Sequence, residues 1–254
     1  MQPPPRRSLL RYLKEKIKSW LFGSLIRLLE RFVQTNDLPP HPTSAQQRAI
    51  IEKASPLVQK WISNPIQFWL LRALLPFLLQ YPEGSELYHR NAVFTGKRFG
   101  IFAHVWAPGK ATPVHNHDGT CALTIPLTGG MREAGYELAK LPDGRWDGRI
   151  VRLVFTGEHM TPAGIVDTLI RGPGSIHEVK NGSLKPGIMI EIYFWRERPF
   201  SAVNHMVPVE GKGKEEEDGS SAAVSALLNS LSRSRTACEK VRSGFYRYTL
   251  KNSI

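Results

Sequence analysis

Apolar positions follow two periods along the chain, helical before Pro82 and alternating after it. Leu9, Leu13, Ile17, Leu21, Leu25, Leu28 and Phe32 recur at helical spacing with Lys and Arg between them, which predicts an amphipathic helix over residues 8–34. Asn36-Asp37 followed by Pro39 and Pro40 ends it. A second helix is expected from Thr43-Ser44 to about Ser63, and a third from about Pro65 to Gln80. The third is so apolar that burial is expected for it. Beyond Pro82, Phe99, Ile101, Ala103 and Val105 alternate with Gly100, Phe102, His104 and Trp106, the period of a strand. Turn signals then come often: Thr95-Gly96, Pro108-Gly109, Asp118-Gly119, Gly129-Gly130, Pro142-Asp143-Gly144, Gly172-Pro173-Gly174 and Lys185-Pro186-Gly187. Short strands fit between them, over residues 122–127, 131–138, 149–155 and 188–195. The pattern predicts a mainly β sandwich or barrel with an N-terminal helical segment. From Val209 on the chain turns polar, GKGKEEEDGSS reads as a disordered linker, and a short helix is expected near residues 222–231.

Composition narrows the class. Hydrophobic residues at 41% against 22% charged support a packed core rather than a disordered chain. Two cysteines, Cys121 and Cys238, are too few for a disulfide framework, so a reducing, cytoplasmic compartment is expected. The basic start is soon interrupted by charge and lacks a small-residue cleavage site, so no secretory signal is expected. The longest apolar run, residues 68–79, contains Arg72 and Pro76 and is shorter than the roughly 20 residues a membrane span needs.

The net charge of +12 suggests nucleic acid until it is located. Residues 1–35 hold eight Lys/Arg against Glu15 and Glu30, residues 211–254 hold eight against five acidic groups, and only +3 remains for residues 36–210. The basic excess lies in the extensions, so no nucleic-acid partner is expected. For residues 8–34 two readings stay open: a helix docked on the body of the protein, or weak contact with a membrane surface through a basic face carrying Trp20 and Phe22.

His115 and His117 stand two apart in TPVHNH. On an extended strand they point to one side, with Cα atoms about 6.5 Å apart, and their imidazoles can converge on one ion. His177, in GPGSIHEVKN, is a third candidate ligand from another strand. Three neutral imidazoles leave coordination positions open for substrate. His104, His159 and His205 lack metal spacing and are expected to be structural or exposed.

The surroundings of these histidines resemble the cupin superfamily. Its first motif has a glycine, five residues, His-x-His, three or four residues, a glutamate, six residues and a glycine. Here Gly109, His115, His117 and Gly129 keep the spacing and Ala122 stands at the glutamate. Its second motif, a glycine, two residues, a histidine, three residues and an asparagine, matches Gly174, His177 and Asn181. The resemblance implies a cupin (double-stranded β-helix, jelly-roll) barrel. It divides the chain into a helical extension (1–38), a helical segment (39–82), a barrel with the metal site (83–208) and a basic, largely disordered tail (209–254).

Within the cupins, loss of the glutamate resembles the cysteine dioxygenase family. Tyr88-His89-Arg90-Asn91 is similar to that family's Tyr-x-Arg-Asn motif, whose arginine holds the substrate carboxylate, and Trp106 and Gly109 resemble its lead-in to the metal strand. A guanidinium suits this role as a bidentate fork that stays charged. The resemblance implies iron(II) on His115, His117 and His177, with zinc or nickel as alternatives. It also implies addition of O2 to the sulfur of a small thiol acid, L-cysteine first, giving a sulfinic acid. Tyr193 is carried over as a catalytic residue and Tyr88 as a pocket residue. Two departures stand out. Ala122 replaces the cysteine that crosslinks to tyrosine in the animal enzymes, and Cys121 faces away, so no crosslink is expected. Met189 and Glu191 replace the family's Ser and His, which puts a carboxylate on the face of Tyr193; there it would reduce the site's positive charge, bind a substrate amine or stay protonated by desolvation, and in another register it would face solvent. Rival readings are a dioxygenase for 3-mercaptopropionate, a zinc-dependent cupin hydrolase or isomerase, and a non-enzymatic ligand or metal sensor. A monomer or small homo-oligomer is expected.

Overall fold

A computed structural model describes residues 6–36, 43–117, 121–128, 130–138, 150–167, 176–195, 202–208 and 244–252. Three helices come first: α1 (Arg6–Thr35), α2 (Ser44–Ile62) and α3 (Pro65–Leu78). α2 opens on a capping box, in which the Thr43 hydroxyl accepts from Gln46 N and the Gln46 side chain accepts from Thr43 N. α3 opens on Asn64, whose side chain accepts from the amides of Ile66 and Gln67, with Pro65 as its first residue. Each helix buries one stripe: Leu21, Phe22, Leu25, Leu29 and Phe32; Ile51, Ala54, Val58 and Ile62; Leu71, Leu75 and Leu78. The burial expected of α3 holds for one face only. Ile66, Trp69 and Phe77 are 70%, 66% and 76% exposed, because the sheet offers only one surface for the helix to cover.

Ten strands follow among the described residues. β1 (Tyr88–Thr95), β2 (Phe99–Trp106), β8 (Gly187–Phe194) and β4 (Cys121–Pro126) form an antiparallel sheet in the order β1-β2-β8-β4, here sheet A. β3 (Val114–His117), β5 (Met131–Leu138), β6 (Ile150–Met160), β7 (Ile176–Asn181), β9 (Ala202–Pro208) and β10 (Gly244–Asn252) form a closed ring, β10-β6-β5-β7-β3-β9. An isolated bridge from Thr124 to Asp167 adds a partner beyond β4. The chain alternates between the layers, β2 to β3 to β4 to β5, so that β8 returns between β2 and β4 and β7 returns between β3 and β5. That is the jelly-roll connectivity of the cupin double-stranded β-helix.

Alternation along sheet A decides its two faces. Ile101, Ala103, Val105, Leu123, Ile125, Ile188, Ile190 and Ile192 share one apolar core with the buried stripes of all three helices. Phe102, His104, Trp106, Met189, Glu191 and Tyr193 point the other way, into the barrel. The helices are tied on by polar contacts as well. Arg98 Nη1 donates to Val33 O at 2.8 Å, and Gln59 accepts from Val166 N at 2.8 Å while donating to Gly164 O. The buried Asn91 clamps the end of α3 to β1, its Oδ1 accepting from Gln80 N at 2.7 Å and its Nδ2 donating to Gln80 O at 2.9 Å.

β6 runs five residues beyond the expected end at residue 155. An irregularity in its pairing with β5 between Gly135 and Tyr136, at a glycine with φ +150° (Gly157), lets pairing resume and brings His159 opposite Glu133. The tail also departs from expectation. Residues 209–243, including the helix expected near 222–231, lie outside the described residues, whereas Gly244–Asn252 is a strand paired to β9 and β6. The composition of GKGKEEEDGSS does not extend to GFYRYTLKN, where β-favouring residues recur.

Asn91→Ala is expected to lower stability by about 1–3 kcal/mol, because it leaves the Gln80 backbone groups without their partner. Urea unfolding checks this: the midpoint should fall with the slope unchanged.

Candidate metal centre

β3 lies between β7 and β9, and its register sets His115 opposite His177 on one side and opposite His205 on the other. Directly paired residues share a sheet face, so the three histidines occupy one row across three strands. His117 stands two residues on from His115, opposite Val203. The side chains of His117 and His205 lie outside the described residues.

Both imidazoles of the His115–His177 pair are buried. His115 Nδ1 is 2.8 Å from the Pro113 carbonyl oxygen, and His177 Nδ1 is 2.8 Å from Glu133 Oε1. A carbonyl and an ionised carboxylate only accept, so each Nδ1 carries a hydrogen and donates it. Both Nε2 atoms are then lone-pair acceptors, and they face each other at 3.0 Å. Two lone pairs at that separation repel unless a proton or a metal ion relieves them. Imidazoles whose Nδ1–H groups are held by a carbonyl and a carboxylate are also the arrangement that orients histidine ligands and fixes their tautomer. This donor chemistry fits a divalent first-row metal.

Glu133 reaches further. β5 pairs it with Val179, diagonal to His177, and with His159 on the other side. His159 Nε2 lies 3.1 Å from Asp167 Oδ2, and Thr161 Oγ1 donates to the same oxygen at 2.9 Å. Ligand atoms of Glu133, His159 and Asp167 all lie within 4.8 Å of one another. A void of about 10 Å³ beside them, lined by Thr124, Met131, Val179 and Met189, has room for one water-sized occupant. A cation in this place would neutralise part of the acidic pair of Glu133 and Asp167.

The other expected site residues gather on the inner face of sheet A. Register sets Tyr88 opposite Trp106, Arg90 opposite His104, Glu191 between Phe102 and Thr124, and Tyr193 between Gly100 and Ala122. The Arg90 guanidinium carbon lies 3.8 Å from the Phe102 ring centroid and 5.4 Å from that of Tyr193. The Tyr193 hydroxyl donates to Glu191 Oε2, and His104 Nε2 is 3.8 Å from the same oxygen. Tyr88 and His104 stack at 5.8 Å, and Tyr88 and Trp106 at 5.6 Å. Burial raises the Tyr88 hydroxyl pKa, the Glu191 charge raises it further, and the Arg90 charge pulls it back. Arg90 and Glu191 are thus the positive and negative centres of one largely buried group. Trp106 and Met189 of sheet A pack against Met131 and Val179 of β5 and β7 where the two inner faces meet.

Two motif residues prove to be scaffold. Asn181 is buried, accepts from Ser183 N and Oγ, and donates to the carbonyls of Lys185 and Ala107, which shapes the β7–β8 turn. Gly109 has φ +68°, the turn conformation that glycine adopts freely. Gly129 and Gly174 lie outside the described residues. Ala122 faces the interior beside Phe102 and Tyr193, whereas Cys121 is in the layer under the helices, where burial pushes its thiol pKa up to about 12. Cys238 lies outside the described residues.

Five residues of this region were not singled out as site residues from sequence: Glu133, Asp167, His104, His159 and His205. His104, expected to be structural or exposed, is buried beside Glu191, and His159 stands against Asp167. Only strand pairing assembles them, since none has a short-range partner at metal spacing.

No family model matches the chain, and no curated protein matches it. Solved structures do resemble it. TT1209 from Thermus thermophilus is 21% identical, with 48% of this chain and 94% of that one covered and a TM-score of 0.34. A cupin domain from Bordetella pertussis Tohama I is 20% identical, with 46% and 97% covered and a TM-score of 0.30. An oxalate oxidase in complex with the substrate analogue glycolate is 14% identical, with 61% and 76% covered and a TM-score of 0.35. At these values no residue role passes from them to this chain.

Glu133→Gln keeps the size of the side chain but removes the charge that holds His177 Nδ1. It is expected to weaken divalent-metal affinity about 10- to 100-fold, as read by competition against a chelator. In a Cys238→Ser background, Cys121 should stay unmodified by a thiol reagent at neutral pH until denaturant is added, because its raised pKa keeps it a buried neutral thiol.

Proposed function

We propose that the chain is a metal-dependent cupin oxidoreductase, a thiol dioxygenase that adds O2 to the sulfur of a small amino thiol acid, with L-cysteine as the favoured substrate. The observation that carries this reading is the division of the barrel interior. One sheet presents the His115–His177 pair with both Nε2 atoms turned to each other, and the other presents Arg90 and Glu191 together. His115, His117 and His177 would hold the metal, for which iron(II) is proposed. Bound there, the ion would supply the redox chemistry and favour the deprotonated thiol.

The protein's own residues do the rest. The Arg90 guanidinium is kept in place by the faces of Phe102 and Tyr193 and suits a substrate carboxylate. The Glu191 carboxylate, held by the Tyr193 hydroxyl, suits an ammonium group. Together they match the two charged ends of an amino acid and orient its sulfur, a positioning effect. Tyr88, Phe102 and Trp106 pack their rings around this charged group, which suits a small substrate. Ala122 at the position of the usual carboxylate ligand leaves the proposed ligand set uncharged, which favours an anionic thiolate.

Purified protein loaded with iron(II) is expected to consume O2 with L-cysteine, to form the sulfinic acid, and to lose both in His177→Ala. Arg90→Ala should raise KM roughly 10- to 100-fold for carboxylate-bearing thiols and leave cysteamine unaffected. Glu191→Gln should raise KM for L-cysteine and spare 3-mercaptopropionate, which has no amine. Absence of O2 uptake with all three thiols, in protein carrying one tightly bound metal per chain, would overturn the assignment.

A further inference from the structure

α1 keeps one inward face along its length, but the chemistry of that face changes near its middle. In the second half, Leu21, Phe22, Leu25, Leu29 and Phe32 are buried in the core shared with sheet A. At about 100° per residue, the same face carries Arg11, Lys14, Glu15 and Lys18 in the first half. The apolar residues of that half, Leu9, Leu13, Ile17 and Trp20, stand on the other side and are exposed. A helix that only extended its packing stripe would have the reverse placement.

The basic face overhangs a recess. Arg11, Lys14, Glu15 and Lys18 line a cavity of about 610 Å³ between the first half of α1, the end of α3 and β1. Leu10, Leu78 and Ala92 add apolar surface to it. Its wall is held in place by Asn91, whose side chain bonds the Gln80 backbone through both its oxygen and its nitrogen. The volume is that of a small-molecule pocket, for which roughly 300–1,000 Å³ is usual.

Charge identifies the ligand class. The Lys18 side chain is 11% exposed and 3.0 Å from Glu15, so these two balance each other. Arg11 and Lys14 remain, and among the described residues neither has an acidic partner. Arg90 also borders the cavity, but its guanidinium lies over the rings of Phe102 and Tyr193 and belongs to the barrel interior. Two cations on one recess match a dianion. A phosphate monoester carries about −1.5 to −2 charges at neutral pH, and its oxygens accept from both a guanidinium fork and an ammonium. A carboxylate would balance only one of the two. The apolar surface beside the cations suits a hydrocarbon portion joined to the phosphate.

We propose that this cavity binds a phosphate monoester bearing an apolar group. Arg11 and Lys14 hold the phosphate, and Leu10 and Leu78 meet the apolar group. The proposal is independent of the barrel chemistry, since neither the histidines nor Glu191 takes part.

Calorimetric titration of the full-length protein with hexyl phosphate, inorganic phosphate and hexanol tests it. Hexyl phosphate is expected to bind saturably at one site per chain, at least about tenfold more tightly than inorganic phosphate because its methylenes are buried, and hexanol is expected not to bind. Salt should weaken the binding. Arg11→Glu/Lys14→Glu should weaken it about tenfold or more. Lys16→Glu/Arg72→Glu makes the same change of charge at residues that do not line the cavity, and should leave the affinity unchanged. An unchanged circular dichroism spectrum and melting temperature would confirm that each variant folds, with Arg11→Gln/Lys14→Gln in reserve should the reversal unfold the helix. Flotation with phosphatidylcholine vesicles containing phosphatidic acid separates two sources of the ligand. Co-flotation that Arg11→Glu/Lys14→Glu abolishes assigns a lipid headgroup, and any other result a soluble ester. Absence of saturable hexyl phosphate binding overturns the proposal. So does equal loss in the two double variants, which would reduce the effect to net charge. Binding undiminished in Arg11→Glu/Lys14→Glu also overturns it, and leaves these cations a structural role beside the C-terminal end of α3.

Discussion

Sheet A is covered on both sides, by α1–α3 on one and by the barrel interior on the other. Its central strands, β2 and β8, are buried at every position. A strand's side chains alternate between faces, so a slip of one residue in β8 would drive Glu191 and Tyr193 into the helical layer and turn Ile190 and Ile192 into the polar interior. Each misplaced group would lose its partner, and a buried polar group without one costs about 1–3 kcal/mol or more. The apolar layer under the helices therefore holds the register of the sheet, and the register places the interior chemistry. Burial of a side chain the size of Ile or Leu contributes roughly 1.5–3 kcal/mol, and the shared core contains many of them.

That apolar support offsets what the interior costs. Arg90, His104, Glu191, Glu133, Asp167, His115 and His177 are ionisable groups gathered inside a small barrel, and groups of this kind persist in a fold when their charges and hydrogen bonds are matched. The matching is local. Tyr193 donates to Glu191, aromatic faces carry Arg90, Glu133 holds His177, and Thr161 and His159 attend Asp167. The approach of the two Nε2 atoms of His115 and His177 is repulsive between neutral imidazoles. A bound cation would relieve it and so would link folding to metal affinity at this position.

The helical layer has two surfaces with separate demands. Inward stripes are set by the sheet they cover. The outward stripes of α1 and α3 are apolar and exposed, with Trp20 and Trp69 among their residues.

Much of the architecture was legible from sequence because it is carried by local periods. Helical spacing located α1–α3, alternation at residues 99–106 separated the two faces of β2, and the spacing of Gly109, His115, His117, His177 and Asn181 pointed to the cupin barrel. The shared face of Glu191 and Tyr193 likewise follows from a period of two. The partners brought together by strand pairing were not legible. Nothing short-range joins Glu133 to His177, His159 to Asp167 or His205 to His115, because these residues meet only when β5, β6, β7, β9 and β3 close around one interior. Nor could the pattern of α3 say which of its apolar faces would be covered, since that depends on how much surface the sheet presents. The sequence by itself determined which residues share a face, because that is a property of backbone geometry. Only the tertiary structure decided which faces meet, because cross-strand register and the area available for burial are properties of the assembled layers.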